Sequence, residues 1–324
     1  MVPVTEHKIL LFFPFLPNIA TRKRIVFPGI AILGVFESKM TAEDGPGKPS
    51  IVSLFNANAI SGFAAGSVTS AILYPLEVVK SRFQVGSHAN FSYRNTFNAV
   101  SSIYRSKGIR ELYRGFPAGF AGSSLSWGLY FWLYNEWKGS IAAARGSSAP
   151  GPIDHWTSSI LASIAVQTVL CPLWVVKLNQ QLGHVEGFWS GFFGLAKREG
   201  LKGLYRGLVP GYWASMHLAL QFVLYEELKK EQFVSSLTLN TIIATVLSKS
   251  FATVVTSPIE VIKVRLRSST VSVNENVRGI CRQIYRKEGM RGFYKGVGTA
   301  LIRILPGQCL TFVTFETVKR LLEK

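Results

Sequence analysis

Long apolar stretches alternate along this chain with shorter basic and polar ones. Six of them reach or exceed the roughly 20 residues that a helix needs to cross a membrane. These stretches cover residues 54–83, 116–138, 156–181, 208–230, 237–266 and 297–322. A short amphipathic pattern over 96–104 predicts a helix that lies along the membrane interface. The pattern therefore predicts an all-α membrane protein with six transmembrane helices in three hairpins.

A proline motif closes each odd-numbered apolar stretch. The motif begins at Pro75, Pro172 and Pro258, and each copy is followed by an aromatic-basic-glycine step. The glycines of these steps are Gly115, Gly207 and Gly296. Both landmarks recur at intervals of roughly 90 residues, which indicates a true internal repeat. Because proline interrupts the hydrogen-bond ladder of a helix, the motif also predicts a bend at the same point of each repeat.

The first residues of the chain do not fit the repeat. The apolar runs at 9–16 and 25–36 are too short to span a membrane. A targeting segment would explain them, and a start of translation at Met40 is the other interpretation. We expect residues 1–50 to be an N-terminal extension that is disordered or dispensable. The three repeats then cover 51–145, 146–233 and 234–324.

The basic residues, which give a formal net charge of +18, are concentrated in three loops. These loops, at 85–114, 182–206 and 268–295, belong to one repeat each, whereas the connections near 140–156 and 230–238 are nearly neutral. The positive-inside rule places the basic loops on one side of the membrane, and both termini and the connections on the other. No motif that reads DNA or RNA accompanies the basic residues, so we expect no nucleic-acid partner.

The sequence gives no sign of catalytic or metal chemistry. Its three cysteines have no CxxC spacing, which argues against a zinc site and against a disulfide framework. It contains no nucleophile–base set, no metal-binding cluster and no glycine-rich nucleotide loop. We therefore expect that the protein is not an enzyme and binds no metal.

Charged residues recur at fixed positions of the apolar stretches. In the first repeat, Glu77, Lys80 and Gln84 are spaced so that they share one helix face. A bare charge at bilayer depth costs at least ~2.5–3.5 kcal/mol, so such residues should face one another across a water-filled cavity. A second pattern, aromatic-acidic-x-x-basic, recurs on the even stretches, for example at Glu226 and Lys229. The chain thus has charged clusters toward both ends of its helices.

These three motifs in triplicate resemble those of the mitochondrial carrier family, from about residue 54 to the C-terminus. The resemblance implies a pseudo-threefold bundle of six transmembrane helices, with short interface helices on the matrix side. It also implies a central substrate cavity that opens to one side at a time. Trp174 stands where the second repeat should carry an acid, which is similar to the carriers of nucleotide-like cofactors. Residues 125–131 and 247–249 are similar to the folate and flavin adenine dinucleotide (FAD) carriers in particular.

The resemblance assigns the odd-helix cluster to a gate on the matrix side. This matrix gate comprises Glu77, Lys80, Trp174, Lys177, Glu260 and Lys263, with Gln84 and Gln181 as braces one turn below. Its expected contacts are the ion pairs Glu77–Lys177 and Glu260–Lys80 and a cation–π contact between Lys263 and Trp174. Arg267 departs from the glutamine pattern of the other two repeats.

The resemblance also assigns the even-helix cluster to a corresponding gate on the cytoplasmic side. This cytoplasmic gate comprises Asn135, Lys138, Glu226, Lys229, Glu316 and Lys319. Its expected contacts are Lys138–Glu226, Lys229–Glu316 and Lys319–Asn135. Each gate then has two ion pairs and one weaker contact, which we interpret as a balance between two closed states.

Helical phase places candidate substrate-binding residues between the gates. Lys249 lies eleven residues before Glu260, on nearly the same face and ~16 Å further into the membrane. A lysine at that depth should have an anionic partner, and we favour substrate phosphate over a snorkelling lysine. Ser124 and Ser215 each lie eleven residues before a gate position, although helix packing explains a serine there equally well.

The resemblance adds Arg303, which matches a substrate-contact position of the family. Gly122 and Ala214 are its counterparts in the first and second repeats, and their small size would leave room for a flat ring system. His217 and Trp213 are more typical of core or interface positions than of substrate ligands.

Backbone N–H groups at the helix starts after Gly115, Gly207 and Gly296 offer a seat for lipid phosphate beside a basic residue. In the family this lipid is cardiolipin. Simple interfacial anchoring by the adjoining aromatic and basic side chains is the other interpretation.

We therefore expect a transporter that moves a planar anionic cofactor, FAD or folate, by alternating access, and that needs no cofactor of its own. A carrier of pyrimidine nucleotides or NAD is the alternative within the family. A proton or anion leak, or a non-transporting scaffold, is the alternative outside that function. We expect a monomeric, multi-pass protein of the mitochondrial inner membrane, with the peroxisomal membrane as the other location.

Overall fold

The computed structural model describes residues 57–86, 96–146, 151–231 and 237–322. The expected extension over 1–50 lies outside these residues, as does the alternative start at Met40. Within the described ranges every regular element is helical, and no strand occurs. The helices are α1 (Ala57–Val85), α2 (Thr96–Lys107), α3 (Ile109–Leu112), α4 (Phe116–Ala144), α5 (Pro152–Leu182), α6 (Phe188–Leu204), α7 (Leu208–Ala214), α8 (Met216–Lys230), α9 (Leu237–Arg267), α10 (Val277–Glu288) and α11 (Val297–Leu322), with a 3₁₀ helix (Met290–Tyr294) before α11.

The proline motifs lie inside the long helices α1, α5 and α9, which have 29, 31 and 31 residues. By length and composition, four described segments are long and apolar enough to cross a membrane. They are Ile60–Val85, Ile153–Leu182, Leu239–Arg267 and Met290–Leu322. The first three belong to the helices that carry the proline motif, and the fourth covers α11 and the 3₁₀ helix before it.

Local signals explain where α5 begins and ends. Its first turn is capped by Asp154, whose carboxylate accepts a hydrogen bond from the backbone N–H of Gly151 at 2.8 Å. Arg145, at the end of α4, donates to the other oxygen of Asp154 at 2.7 Å and so ties the end of α4 to the start of α5. The helix ends at Gly183, whose φ of 82° is a left-handed conformation that glycine adopts without steric cost.

The fourth apolar stretch differs from its prediction as one continuous helix over 208–230. It consists of α7 and α8, which meet at Ser215. At this point the backbone makes tight i→i−3 hydrogen bonds, from Ser215 to the carbonyl of Tyr212 and from Leu218 to the carbonyl of Ser215. The break therefore reflects a change in the hydrogen-bond ladder, which the apolar pattern of the stretch does not signal.

Each repeat builds one small apolar core just after its proline motif. In the first repeat, Val79 of α1 packs against Ala99 and Ile103 of α2. The second and third repeats use equivalent residues of their own helices. These residues are Val175, Val176, Leu195 and Leu204 in the second repeat and Val261, Leu266, Ile280 and Ile284 in the third. The predicted interface helix over 96–104 is thus present as α2, and its apolar side is buried against the proline-motif helix.

The described residues fall into two compact units. The smaller unit comprises residues 57–64 and 315–322, and in it Arg320 forms an ion pair of 3.0 Å with Glu316, one turn away on α11. The larger unit comprises the described residues between Ala65 and Thr314. The matrix gate and every candidate substrate-binding residue belong to the larger unit.

Candidate functional site

Two ion pairs join neighbouring repeats just after the proline motifs. Lys177 Nζ of α5 lies 2.5 Å from Glu77 Oε1 of α1. Lys80 Nζ of α1 lies 3.2 Å from Glu260 Oε2 of α9. The first pair links the first repeat to the second, and the second pair links the third repeat to the first. These are the two ion pairs expected for the matrix gate.

The third contact differs from the expected cation–π pair of Lys263 and Trp174. Lys263 Nζ instead lies 2.5 Å from Glu260 Oε1, one turn away on its own helix. The ring of Trp174 contacts Lys177 instead, whose Nζ lies over the ring at 5.1 Å from its centroid. Lys263 therefore turns to a carboxylate because an ion pair with full charge is stronger than a contact with an indole ring.

The two glutamines expected as braces do not bond to the ion pairs. Gln181 accepts a hydrogen bond from Ser81 at 2.9 Å and donates one to the hydroxyl of Tyr74 at 3.1 Å. The ring of Tyr74 in turn lies beneath Lys177, at 5.9 Å from its ammonium to the ring centroid. Gln181 thus contacts the gate through Tyr74. The backbone carbonyl of Gln84 instead accepts a hydrogen bond from Arg265.

A ring of three hydrogen bonds lies on the loop side of the ion pairs, and the sequence analysis missed it. Each bond runs from a side chain two residues after the gate lysine to a backbone carbonyl of the following repeat. The three bonds are Arg82 Nε to the Gln181 carbonyl (3.0 Å), Asn179 Nδ2 to the Arg267 carbonyl (3.0 Å) and Arg265 Nε to the Gln84 carbonyl (2.9 Å). The contacts therefore run from the first repeat to the second, from the second to the third and from the third to the first.

Asn179 replaces the arginine of the other two repeats and is fully buried. Besides its bond to Arg267, its side chain donates to the carbonyl of Val175 at 2.9 Å and accepts from the N–H of Ser269 at 2.8 Å. The motif spacing could have revealed this ring, since Arg82, Asn179 and Arg265 hold equivalent places after the three prolines.

A second set of ion pairs ties the interface helices to the proline-motif helices. Arg265 pairs with Glu288 at 2.6 Å. Glu288 directly precedes a glycine, and Glu199 holds the same place in the second repeat. The first repeat has Lys107 at that place, and its acid is Glu111, one turn later. Arg82 lies 2.5 Å from Glu111. The acid of the first repeat therefore lies four residues later in the sequence, in α3, and still pairs with the arginine equivalent to Arg265.

Burial alone would raise the pKa of Glu111, but the hydrogen bond and positive charge of Arg82, with Arg114 and Lys107 nearby, hold it below its usual range. The pKa of Glu288 is also lowered, because the bonds and charges of Arg265 and Lys295 outweigh its burial. Both carboxyl groups are therefore charged at neutral pH and stabilise the loop side of the molecule.

Each of the three repeat glycines packs against the backbone carbonyl of the gate lysine in the following repeat. A Cβ at Gly115 would lie 3.1 Å from the Lys177 carbonyl oxygen, and Gly207 and Gly296 have the same relation to Lys263 and Lys80. All three glycines have positive φ angles, of 79°, 67° and 83°. Only glycine meets both demands, left-handed backbone and close approach.

The basic residues beside these glycines are already bound to protein. Arg206 is buried and pairs with Glu199 at 2.6 Å, and Arg114 pairs with Glu111 at 3.0 Å. Lys295 pairs with Glu288 at 3.1 Å. The basic side chains are therefore engaged at the expected seat for lipid phosphate, and the N–H groups of Phe116 and Leu208 already donate to the carbonyls of Tyr113 and Tyr205.

Of the candidate substrate residues, Arg303 is bound to the gate itself. Its Nη1 lies 3.1 Å from Glu77 Oε2. Lys249 is half-buried, and its ammonium makes no ion pair or hydrogen bond with a described residue.

The small residues do not all leave open space. Gly122 is buried, and the volume beside it is filled by Leu173 and Trp174, since a Cβ there would lie 3.5 Å from the indole ring. Gly122 thus permits α4 to approach α5, contrary to the expected room for a planar ring. Ala214 is half-buried, and Ser124 and Ser215 are exposed in the protein alone.

The cytoplasmic-gate residues of the larger unit are not paired with each other. Lys138 lies over the ring of Tyr134 at 5.4 Å, and Lys229 over that of Tyr225 at 5.7 Å. Between Ala65 and Thr314, no ion pair joins Lys138 to Glu226, contrary to expectation for a closed gate. One buried oxygen of Glu226 and the amide oxygen of Asn135 accept no hydrogen bond from a described residue.

Comparison with protein families gives a match over almost all of the described chain. The family model described as "Mitochondrial carrier protein" matches three times, at residues 53–143, 148–236 and 234–324. The three matches follow the three repeats.

Several curated proteins are similar over most of their length. Folate transporter 1, chloroplastic, of Arabidopsis thaliana is 35% identical over 294 residues, which cover 82% of this chain and 96% of the relative. Nicotinamide adenine dinucleotide transporter 1, chloroplastic, of the same plant is 32% identical and covers 82% and 91%. The mitochondrial FAD carrier protein FLX1 of Saccharomyces cerevisiae is 28% identical and covers 80% and 95%.

Proposed function

The chain belongs to the mitochondrial carrier family, and on that premise we propose that it moves a planar anionic cofactor, folate or FAD, across the mitochondrial inner membrane. Members of this family are membrane transporters and not enzymes, and they need no cofactor for turnover. The cofactor in question is therefore cargo.

The observation that carries this proposal is the unpaired cation Lys249. A lysine ammonium held within a membrane-spanning helix is costly unless an anion approaches it. Arg303 is a second cation among the candidate substrate-binding residues. A pair of cations suits a substrate with one anionic portion, such as the pyrophosphate of FAD or the glutamate carboxylates of folate. The names of the folate and FAD relatives support the same choice.

NAD is the second candidate substrate. Two relatives that are each 32% identical are named as nicotinamide adenine dinucleotide transporters, one from Arabidopsis thaliana and one from Saccharomyces cerevisiae. NAD shares the pyrophosphate and adenine of FAD, so the same two cations would serve it.

We propose alternating access as the mechanism. In its support, the Glu77–Lys177 and Lys80–Glu260 pairs are formed, whereas no ion pair joins Lys138 to Glu226 among the described residues. This combination is expected for a state closed toward the matrix. We further propose that the protein acts as a monomer. Cardiolipin would bind at the helix starts after the three repeat glycines, through backbone N–H groups that have no partner among the described residues.

Uptake into liposomes that contain the purified protein tests the substrate. We expect saturable uptake of labelled folate or FAD, and a rise in KM of about tenfold or more for Lys249→Ala, since a lost charged hydrogen bond is worth ~1.5–3 kcal/mol. Lys249→Arg should retain most of the affinity.

Lys230→Ala is the matched control, because Lys230 is exposed and pairs only with Glu227 on its own helix. Uptake of NAD alone would select the second candidate. Equal KM values for wild type and Lys249→Ala would remove Lys249 from the substrate site.

A further inference from the structure

One carboxylate, that of Glu77, joins three helices. Its Oε1 binds Lys177 of α5 at 2.5 Å, and its Oε2 binds Arg303 of α11 at 3.1 Å. Both oxygens of Glu77 are thus engaged, one by the gate lysine of the next repeat and the other by a proposed substrate-binding residue. A residue of the gate and a residue of the substrate site therefore share one anion.

Glu260 offers a close comparison within the same molecule. It also binds two cations, Lys80 at 3.2 Å and Lys263 at 2.5 Å. Both of these are gate lysines, and neither belongs to the proposed substrate site. The contact between gate and substrate residue is therefore a property of Glu77 that Glu260 does not share.

The two cations of Glu77 differ in how easily a ligand reaches them. The side chain of Lys177 is 12% exposed, whereas that of Arg303 is 40% exposed. Lys249, the other proposed substrate-binding cation, forms no ion pair with a carboxylate of the described residues. An anion attracted by these two cations would meet Arg303 already bound to Glu77.

We propose that Glu77 competes with the anionic substrate for Arg303. The inference rests on the proposed substrate site at Lys249 and Arg303, and it adds a means by which substrate binding reaches the matrix gate. When the substrate takes Arg303, Glu77 keeps Lys177 alone and the link between α1 and α11 is lost. The matrix gate is thereby weakened only when cargo is present, because a ligand shifts a conformational equilibrium through its different contacts in the two states.

The competition predicts that removing the charge of Glu77 tightens substrate binding. We expect Glu77→Gln to bind folate or FAD about fivefold more tightly than wild type, measured by calorimetric titration of the purified protein in detergent. Its transport should show a lower KM together with a lower maximal rate, since the gate contact to Lys177 is also lost. A purely structural role for Glu77 would not lower KM.

Glu260→Gln is the matched variant, because it breaks an equivalent gate pair but leaves Arg303 untouched. We expect it to slow transport with no gain in affinity. Equal affinity changes in the two variants would overturn the competition. Glu77→Asp, which keeps the charge but withdraws it by one methylene, serves if Glu77→Gln does not fold. It should give a smaller gain, and no gain would also overturn the inference.

Arg303→Ala separates this inference from the proposed function. If it binds folate and FAD as wild type does, the substrate site itself is wrong. If it binds them weakly while Glu77→Gln and Glu260→Gln behave alike, the site stands and only the competition fails.

Discussion

At the scale of single residues, Trp174 leaves Lys263 without an acid on the neighbouring repeat. Lys263 turns to Glu260, which then holds two lysines. The indole ring lies against Lys177 instead. One of the three junctions between repeats therefore has no ion pair in the matrix gate, and the closed gate is weaker there than at the other two.

Trp174→Asp should restore that third junction. The new carboxylate would attract Lys263 and stabilise the matrix-closed state by about 1 kcal/mol or more, so we expect transport to slow about fivefold or more. Matrix-side labelling of a cysteine introduced by Ser81→Cys reports closure, because Ser81 is buried between α1 and α5.

Trp174→Phe is the control for Trp174→Asp, since it keeps an aromatic ring and adds no charge. Faster transport by Trp174→Asp with unchanged labelling would contradict the expected effect on the gate.

At the scale of helices, the hydrogen bonds of Arg82, Asn179 and Arg265 join the same three repeats as the matrix gate and add to the contacts made by the ion pairs. Their acceptors are backbone carbonyls near the ends of α1, α5 and α9, and such carbonyls lack partners within their own helix. Helix ends thus serve as contact points between repeats. Under the alternating access proposed above, opening toward the matrix would break these bonds as well as the ion pairs.

Asn179→Ala should shift the protein toward the matrix-open state. It leaves the Arg267 carbonyl and the Ser269 N–H without their partner, at a cost of about 1–3 kcal/mol to the closed state. We expect the labelling rate of Ser81→Cys from the matrix side to rise by about fivefold or more.

Asn240→Ala is the matched control for this variant. Asn240 is also buried and donates to a backbone carbonyl, that of Glu231, but it lies at the opposite end of α9. A similar rise in labelling for both variants would show that general loosening, and not the ring, is responsible.

The role of Glu111 can be tested by placing the acid of the first repeat at the position that it has in the other two repeats. Glu111→Gln leaves the buried Arg82 without its carboxylate, and we expect a loss of about 3 kcal/mol in the free energy of unfolding. Adding Lys107→Glu places an acid where the other two repeats have it. This double variant should recover most of the thermal stability, measured as Tm in detergent.

The pH dependence of Tm gives a second readout for Glu111. Because the pKa of Glu111 is lowered in the folded protein, its stabilisation is complete above the ordinary carboxyl pKa of about 4.3 and is lost as pH falls through the lower, folded value. The difference in Tm between wild type and Glu111→Gln should therefore be constant near neutral pH and shrink in acid. A constant difference down to acid pH would exclude ionisation as its source.

At the scale of the whole molecule, the repeat itself was readable from sequence. Proline, glycine and charge recur at one spacing, so the fold class could be predicted, and the family resemblance supplied the pairs Glu77–Lys177 and Lys80–Glu260. The contact of Arg303 with Glu77 could not be predicted, because the counterparts of Arg303 in the other two repeats, Gly122 and Ala214, are uncharged and no recurring pattern points to it. The turn of Lys263 to Glu260 was overlooked although both lie on one helix face, since the family pairing placed Lys263 against Trp174.

The cyclic order of the ring also has a consequence for biosynthesis. A polypeptide emerges from its N-terminus, so the bond from Arg82 to Gln181 needs only the first two hairpins. The bond from Arg265 to Gln84 spans 181 positions and waits for the third. Contacts of such sequence separation are slow to form. The nascent protein therefore has a partly assembled stage, in which the Gln84 carbonyl near the end of α1 lacks its bond to Arg265 until the last hairpin has been made.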